Sequence, residues 1–205
     1  MIAIIDYDAG NIKSVEKALL YLGQEVELTR DPKVILGADR AILPGVGSFG
    51  DAMDKLRGYG LEEVIREFTA SGKPFLGICL GLQLLFSESE ESPGVKGLSI
   101  LKGKIRRIPE QGPDGVERKV PQIGWNDISI NPGSRLFRGI RDKSYVYFVH
   151  SYYLDAENKA EVAATTEYGV TIDASVEAGN VFACQFHPEK SSDTGLMILK
   201  NFIEI

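Results

Sequence analysis

The sequence is poor in cysteine and histidine, with two residues of each among 205. Cys79 and Cys184 have dissimilar neighbours, so the disulfide framework of a small secreted domain is not expected. The Cys and His residues form no cluster with metal-ligand spacing, and we therefore predict no metal site. Cysteines used in this way suit a reducing cytoplasm, which is the location we expect.

Basic charge and long apolar runs are also scarce. The net charge is −6, which argues against nucleic-acid or anionic-membrane partners, because both need concentrated Lys and Arg. The one basic run, residues 102–107, is interpreted as the solvated face of a strand. No stretch approaches the roughly 20 apolar residues of a membrane span. The apolar opening, residues 1–5, is too short for a signal peptide and lacks its basic flank.

The first ninety residues alternate strand and helix patterns. Four strands are predicted at residues 2–5, 25–29, 40–43 and 75–78. Helices are predicted at about residues 12–22, 51–56 and 61–70, with Asn11 as the N-cap of the first helix and Gly23 as its stop. This order predicts an α/β fold with a doubly wound, mostly parallel sheet, whose ligands bind at the carboxyl ends of the strands.

After Pro93 the pattern changes to short β-rich runs separated by Gly, Pro and Asn. The runs at residues 98–108, 145–149, 162–166 and 181–186 are predicted to be antiparallel additions to the sheet. A last helix is predicted at about residues 195–203. The sequence contains no internal repeat or low-complexity linker, and its length suits one large domain, so residues 1–205 are predicted to form a single domain.

The most informative motif is Gly77-Ile-Cys79-Leu-Gly81, between a short apolar strand and an apolar helix. It matches the G-x-nucleophile-x-G pattern of a nucleophile elbow, where side chains in place of the glycines would collide with the neighbouring strand and helix. A sulfur at the start of a helix is favoured as the thiolate, which is the nucleophilic form. A small buried cysteine after a core strand is the structural alternative.

A cysteine nucleophile of this type needs a histidine, and the chain offers only His150 and His187. His187 precedes Pro188, which disfavours helix at His187 and keeps the segment extended. Strand alternation then places Glu189 on the same side as His187, where its carboxylate can orient the imidazole. His150 has no carboxylate at that spacing and is interpreted as structural.

Cys184 is the second candidate nucleophile. It alternates in phase with Phe182 and Phe186, so it is predicted to face the apolar core, opposite to His187.

The glycine-rich loop at residues 44–50 allows two interpretations. Residues 45–50 match G-x-G-x-x-G, so a dinucleotide site is one hypothesis, although the match follows the third predicted strand rather than the first. The other hypothesis is that backbone N–H groups near Val46 and Gly47 stabilise a developing oxyanion, together with the N–H of Leu80.

Several motifs resemble one family. Residues 77–83 together with His187-Pro-Glu189 resemble the triad class of glutamine amidotransferases. Residues 6–11, 43–49, 121–126, 147–152 and 185–191 resemble, more narrowly, the glutaminase subunits of imidazole glycerol phosphate synthases. The resemblance covers essentially the whole chain. Two positions differ from the family's usual residues. Asp8 occupies a position where Gly is common, and Gln122 occupies one where His is usual.

This resemblance implies that the chain hydrolyses glutamine to glutamate and ammonia, without a cofactor. The implied triad is Cys79, His187 and Glu189. The resemblance also implies four substrate contacts: the side chain of Gln83, the side chain of Glu91 at the substrate ammonium, and the backbone at Ser151 and Tyr152 at its carboxylate.

Ammonia released into neutral water is mostly protonated, so such a glutaminase needs an acceptor sealed against it. The resemblance implies a partner, the (β/α)8-barrel cyclase subunit of imidazole glycerol phosphate synthase, which uses the ammonia in histidine biosynthesis. The residues implied at or near the docking surface are Trp125, Asn126, Tyr147 and Lys190, with a core position as the structural alternative for Trp125.

Two other functions stay open from the residues alone. One is a different thiol enzyme on the same scaffold, either another amidotransferase or an elbow-cysteine peptidase. The other is a non-catalytic module that binds a dinucleotide through residues 45–50.

Overall fold

The computed structural model describes residues 1–10 and 12–205, and its first half alternates strands with helices. In chain order the elements are β1 (Ile2–Ile5), α1 (Ile12–Tyr21), β2 (Val26–Thr29), α2 (Pro32–Gly37), β3 (Arg40–Gly45), α3 (Phe49–Gly58), α4 (Leu61–Ala70), β4 (Phe75–Cys79) and α5 (Leu80–Leu84). The predicted strands and helices of this half are confirmed to within two residues at each end. The predicted N-cap, Asn11, lies outside the described residues.

Helix α2 was not predicted, although its start has a clear local cause. The Asp31 side chain accepts a hydrogen bond from the Lys33 N–H at 2.8 Å and caps the helix. Pro32 follows at the first helical position, where its fixed backbone angle favours helix and its missing N–H costs nothing.

The second half is mostly β structure. Its elements are β5 (Glu88–Ser89), β6 (Gly103–Arg107), β7 (Gln122–Asp127), β8 (Ser129–Ile130), β9 (Tyr145–His150), β10 (Tyr152–Ala156), β11 (Val162–Glu167), β12 (Thr171–Ala178), β13 (Val181–Cys184) and α6 (Ser192–Glu204), with 3₁₀ turns at Lys159–Glu161 and Pro188–Lys190. Among the described residues, no helix is both long enough and apolar enough to cross a bilayer.

An eight-stranded sheet in the order β2-β1-β3-β4-β13-β12-β11-β8 forms the centre of the fold. Strands β2, β1, β3, β4 and β13 are parallel to one another. Strands β12, β11 and β8 extend the sheet in antiparallel pairs. The predicted α/β class, with a mostly parallel sheet and antiparallel additions in the second half, is confirmed.

The pairing predicted for the late β runs is wrong in three of four cases. Residues 181–186 supply β13, which lies parallel to β4. Residues 145–149 lie in β9, which pairs with β7 in a separate sheet, and residues 98–108 supply β6, which pairs with β10 and β5. Only residues 162–166, in β11, join the central sheet as predicted. Alternation in a strand shows that one face is buried, but it does not identify the neighbouring strand.

The sheet separates two apolar cores. Along β1, Ile2 and Ile4 belong to the core that contains the buried faces of α1 and α6, whereas Ala3 and Ile5 belong to the core with α3 and α4. Successive side chains of a strand point to opposite faces, so a strand that is apolar throughout requires cover on both sides. This layered arrangement leaves the strand ends as the open positions for a site.

Strand β6 confirms the interpretation of the basic run. The side chains of Lys104 and Arg106 are 62% and 45% exposed, and Ile105 between them is fully buried.

The parallel pairing of β4 with β13 places two distant parts of the chain side by side. Ile78 and Cys184 are partners in the register, so both strands end at the same edge of the sheet. Cys79 is the last residue of β4, and His187 follows β13 by three residues. The topology therefore brings the two predicted reactive side chains to one place.

Candidate active site

Cys79 occupies the tight turn between β4 and α5. Its backbone angles, φ 55° and ψ −109°, lie in a region that residues other than glycine rarely populate. Holding a residue there costs of the order of 1–3 kcal/mol, which the packing of both flanking elements has to offset. The structure thus has the strand-turn-helix context that the elbow pattern predicts.

The two glycines beside Cys79 have the predicted steric role. A Cβ atom at Gly81 would lie 1.8 Å from the carbonyl oxygen of Leu43 in β3, and one at Gly77 would lie 2.7 Å from the carbonyl oxygen of Gly81. Neither approach leaves room for a side chain. The elbow can therefore pack against β3 only because these positions are glycine.

His187 continues from β13 with an extended backbone, as predicted, at φ −100° and ψ 98°. Its N–H donates to the carbonyl of Tyr147 at 2.9 Å, and Ser191 Oγ donates to its carbonyl at 2.6 Å. The 3₁₀ turn then directs Glu189 back, so that Oε1 lies 2.8 Å from His187 Nδ1. The pairing comes from this turn rather than from the continued strand alternation that the prediction used.

The charge state of His187 is set by its neighbours. Burial disfavours the imidazolium, because the side chain is only 2% exposed, but hydrogen bonding and charge from Cys79 and Glu189 outweigh burial and raise the pKa of His187 to about 9. Since Nδ1 is bound to Glu189, the buried Nε2 is the ring nitrogen left to exchange a proton with Cys79. The three side chains form one buried, electrostatically coupled group.

A cavity of about 290 Å³ opens beside Cys79. This volume is at the low end of the roughly 300–1,000 Å³ common for ligand pockets, so it suits a small metabolite. The residues predicted for oxyanion and substrate contacts all line it, whereas His187 and Glu189 border a narrow neighbouring crevice. The lining residues are Val46, Gly47, Cys79, Leu80, Gln83, Glu91, Pro121, Val149, His150, Ser151 and Tyr152.

The glycine-rich loop reaches this cavity because β3 runs beside β4. Gly45 is the register partner of Cys79, so Val46 and Gly47 emerge next to the sulfur. Gly47 has φ 109°, a conformation that other residues resist, and a Cβ built there would meet no atom within 4 Å. Gly47 thus has open space beside its Cα and the wide conformational range of glycine, at the point where the oxyanion hypothesis needs an N–H group.

A buried amide network lies behind Cys79. Gln83 Nε2 donates to the carbonyl of Tyr152 and to Gln185 Oε1, both at 3.0 Å. Gln185 Nε2 in turn donates to Cys79 Sγ at 3.7 Å. Both N–H groups of Gln83 are thus used within the protein, and its side-chain oxygen is the atom left to meet a ligand.

Glu91 is fixed at the cavity wall by the start of α3. Its Oε2 accepts a hydrogen bond from the Phe49 N–H at 2.7 Å, where the free N–H groups of the helix favour negative charge. A carboxylate held in this way can pair with a cationic group of a ligand, as predicted for a substrate ammonium.

His150 lies in the cavity wall as a neutral imidazole, because burial lowers its pKa to about 4. Nδ1 lies 2.8 Å from the carbonyl oxygen of Tyr152, so Nδ1 carries the proton. In the structure Gln122 Oε1 lies 3.0 Å from Nε2, and because an unprotonated Nε2 can only accept, the Gln122 amide has to be turned over so that its NH₂ group donates there. Gln122, the departure from the family pattern at this position, thus serves as the buried partner of His150.

Asp8, the other departure, also has a local explanation. Its φ of 61° is an angle that glycine adopts at lower cost. Hydrogen bonds from Tyr59 and Arg30 lower the pKa of Asp8, and the contact with Arg30 measures 2.6 Å. These contacts tie the loop after β1 to the ends of β2 and α3.

Of the four residues predicted for partner docking, Tyr147 and Lys190 are hydrogen-bonded through their backbones to His187. Trp125 is 51% exposed, which rules out the core position. Its ring packs edge-on against Tyr147, with centroids 6.1 Å apart, and Lys190 Nζ lies 5.9 Å from the Tyr147 ring centroid. Asn126 donates to the Glu167 carbonyl. We call Trp125, Asn126, Tyr147 and Lys190 the docking surface.

Two of the described residues contact the Cys79 sulfur without a role from the sequence analysis: Gln185, and Val149, whose carbonyl oxygen lies 4.0 Å from Sγ. A signal was available, because Gln185 precedes His187 by two residues and strand alternation puts both on one face. Cys184 points to the opposite face of the strand from Gln185. It packs in the core with Phe182 and Phe186, as predicted.

Known proteins resemble the chain over its full length. The profile of the family described as "Glutamine amidotransferase class-I" matches residues 3–205. A Methanothermobacter thermautotrophicus protein named imidazole glycerol phosphate synthase subunit HisH is 50% identical over 205 residues, spanning 100% of this chain and 98% of its own. A protein of the same name from Moorella thermoacetica is 52% identical over 204 residues, spanning 100% of this chain and 94% of its own.

Solved structures resemble it in fold. A crystal structure of a glutamine amidotransferase aligns with a TM-score of 0.76 at 22% identity, covering 100% of this chain and 98% of that one.

Proposed function

The chain belongs to the class-I glutamine amidotransferase family, and from this premise we propose that it is the glutaminase subunit of an imidazole glycerol phosphate synthase. It hydrolyses L-glutamine to glutamate and passes the ammonia to a cyclase subunit in histidine biosynthesis, in the cytoplasm. The relatives that carry the name of that subunit match this chain over nearly their whole length. Family membership favours this function over a dinucleotide-binding module.

One observation carries the chemical part of the proposal. Cys79 sits on a strained elbow between a small cavity and a buried His187, whose Nδ1 is held by Glu189 at 2.8 Å. This is the order of nucleophile, proton carrier and orienting carboxylate that covalent hydrolysis of an amide needs.

In the first half-reaction the Cys79 sulfur attacks the side-chain amide carbon of glutamine. The C–N bond breaks as His187 gives its proton to the departing ammonia. A pKa of about 9 keeps His187 protonated at neutral pH, ready for this transfer. Glu189 holds the ring in place and stabilises its positive charge.

In the second half-reaction water hydrolyses the glutamyl thioester on Cys79. Neutral His187 takes a proton from the water, which attacks the acyl carbon. The C–S bond then breaks, its electron pair returns to the sulfur, and glutamate leaves. Both half-reactions pass through a tetrahedral oxyanion, and N–H groups of Leu80 and of the Val46-Gly47 segment stabilise it.

The remaining cavity residues bind the amino-acid end of glutamine. Glu91 pairs with the substrate ammonium, and Gln83 contacts the substrate through its side-chain oxygen. The substrate carboxylate needs donors, so the N–H groups of Ser151 and Tyr152 are the atoms we assign to it. The Tyr152 carbonyl is already occupied by Gln83 and His150.

The partner is a cyclase subunit built as a (β/α)8 barrel, which receives the ammonia before water protonates it. Its contact site is the docking surface. The exposure of Trp125 supports this, because half-exposed tryptophan next to tyrosine is typical of interface anchors.

The test is glutamate release from glutamine by the chain mixed with the cyclase subunit and its ligand. We expect Cys79→Ala to abolish glutamate release while the complex still makes product from an added ammonium salt, which bypasses the glutaminase. Substantial glutamate release by Cys79→Ala, or none by the wild-type complex, would overturn the proposal.

A further inference from the structure

We propose that Gln185 is a further catalytic residue, whose side-chain amide donates a hydrogen bond to the Cys79 sulfur and stabilises it as a thiolate in both half-reactions. This inference deepens the proposed glutaminase function and rests on it for its chemical meaning. The contact itself, Gln185 Nε2 to Cys79 Sγ at 3.7 Å, belongs to this structure whatever the substrate is.

The orientation of the Gln185 amide is fixed by a backbone group. The carbonyl of Tyr152 can only accept, so the Gln83 atom 3.0 Å from it is the NH₂ group. The same NH₂ group lies 3.0 Å from the Gln185 side chain and requires an acceptor there, which is Oε1. The other end of the Gln185 amide is therefore its NH₂ group, and it faces the sulfur.

The position of Gln185 is fixed as well. Its backbone N–H donates to the Ala174 carbonyl at 2.8 Å, which continues the pairing of β13 with β12. The residue is fully buried, and Cys79 is 6% exposed. In such surroundings a hydrogen bond to a charged acceptor is stronger than in water, because no solvent competes for the donor.

The donor acts on the atom whose charge changes during the reaction. Before attack, the hydrogen bond favours the thiolate over the thiol and increases the fraction of reactive sulfur. In hydrolysis of the thioester, the C–S bond breaks and the electron pair returns to Sγ, where the same N–H group stabilises the leaving thiolate. Loss of the donor should therefore lower kcat, with little change in KM.

The experiment compares two substitutions with a matched control. Gln185→Met removes the donor at similar volume. Gln185→Glu keeps an oxygen for Gln83 but places a carboxylate against the sulfur. The control is Asn201→Leu, which removes another buried amide, one that bonds the carbonyls of Leu136 and Arg138.

The first measurement is the rate of Cys79 alkylation by iodoacetamide as a function of pH, followed on the peptide that contains Cys79. We expect the pH of half-maximal rate to rise by about one unit in Gln185→Met, and further in Gln185→Glu, as the loss of a hydrogen bond to a charged group predicts. Asn201→Leu should keep the wild-type profile. The alkylation experiment uses no glutamine, so its outcome tests the role of Gln185 independently of the glutaminase proposal.

The second measurement is glutaminase activity with the cyclase subunit present. The Gln185 variants should lose roughly ten- to a hundredfold in kcat, with KM within about threefold of wild type. Folded Gln185 variants that retain the wild-type alkylation profile would overturn the proposal.

A measurement on the unsubstituted protein covers the case in which neither variant folds. The NMR signals of the Gln185 side-chain amide should shift over the pH range in which Cys79 becomes reactive, and should not shift in Cys79→Ala. Signals that do not respond to pH in the wild-type protein would also overturn the proposal.

Discussion

At the scale of single residues, the two histidines of this chain behave in opposite ways because their partners differ. His187 has Glu189 and Cys79 beside it, which raise its pKa to about 9 against burial. His150 has a carbonyl and an amide as partners, and burial lowers its pKa to about 4. One histidine is thus held charged at neutral pH, as the proton transfer proposed for it requires, and the other is held neutral as part of the cavity wall.

The raised pKa of His187 makes protein stability depend on pH. The folded value, about 9, lies above the ordinary value of 6.5, so the folded state binds the proton more tightly than the unfolded state. The stabilisation is fully present below about pH 6.5 and is lost as the pH rises to about 9. A shift of this size corresponds to on the order of 3 kcal/mol in the free energy of unfolding.

Urea denaturation of the wild type and of His187→Gln at pH 6.5 and pH 9 checks this prediction. The stability advantage of the wild type should shrink between these pH values, because the variant has no group that titrates at this position. Subtracting the variant removes the contributions of titrating groups that do not interact with His187. An advantage that stays constant or grows over this range would contradict the assigned charge state.

At the scale of elements, the loop after β3 is the part of the site best suited to change shape. Gly47 has a positive φ in open space, so its backbone can reorient cheaply. We expect the isolated chain to be nearly inactive, with an N–H group of this loop turned away from the oxyanion position until the cyclase and its ligand bind.

Gly47→Ala tests this expectation. Alanine has fewer accessible backbone conformations than glycine, so the variant should stiffen the loop, hinder its reorientation and lose on the order of a hundredfold in activated glutaminase rate. Its affinity for the cyclase should change little. Glutamate production is measured for the chain alone, with cyclase, and with cyclase plus its nucleotide ligand. The control is Gly37→Ala. Gly37 lies at the end of α2, where a Cβ has free space and φ is not positive, so this variant should have the wild-type rates. Equal wild-type rates in all three states would refute the switch.

The elements that the sequence predicts best are those with local signals. Helix α4 was predicted with its observed bounds because its apolar period and the surrounding Gly and Ser are contained in one segment. The insertion of β13 beside β4 was not predicted, because it depends on pairing across about a hundred residues.

The same contrast holds within the site. Cys79 is marked by its own pentad, and His187 by the carboxylate two residues later. Gln185 meets Gln83 across 102 residues of sequence, and no local pattern in either segment indicates that contact.

At the scale of the whole molecule, the docking surface is joined to His187 through two of its own residues, Tyr147 and Lys190, and the Lys190 N–H donates to the His187 carbonyl at 3.1 Å. The Tyr147 ring packs against Trp125, while its carbonyl accepts from the His187 N–H and its own N–H donates to Ser191 Oγ. A partner that covers Trp125 and Tyr147 would therefore rest directly on the strand that positions His187.

Trp125→Ala should weaken the complex with the cyclase subunit by at least about tenfold, since large aromatic anchors carry much of the energy of an interface. Titration calorimetry or a sedimentation assay gives the affinity. Met197→Ala, which removes an exposed apolar side chain from α6, is the matched control and should leave the affinity unchanged. An equal loss in both variants, or none in either, would place the interface elsewhere.

The central claim, that Cys79 is the nucleophile toward glutamine, is tested most directly by labelling the native protein with an electrophilic glutamine analogue in the presence of the cyclase subunit and its ligand. Peptide mass spectrometry then locates the label. The account predicts modification of Cys79 alone, slowed by added glutamine, because Cys79 lines the cavity and Cys184 is fully buried. Labelling of Cys184 in preference to Cys79, or labelling that glutamine does not slow, would contradict it.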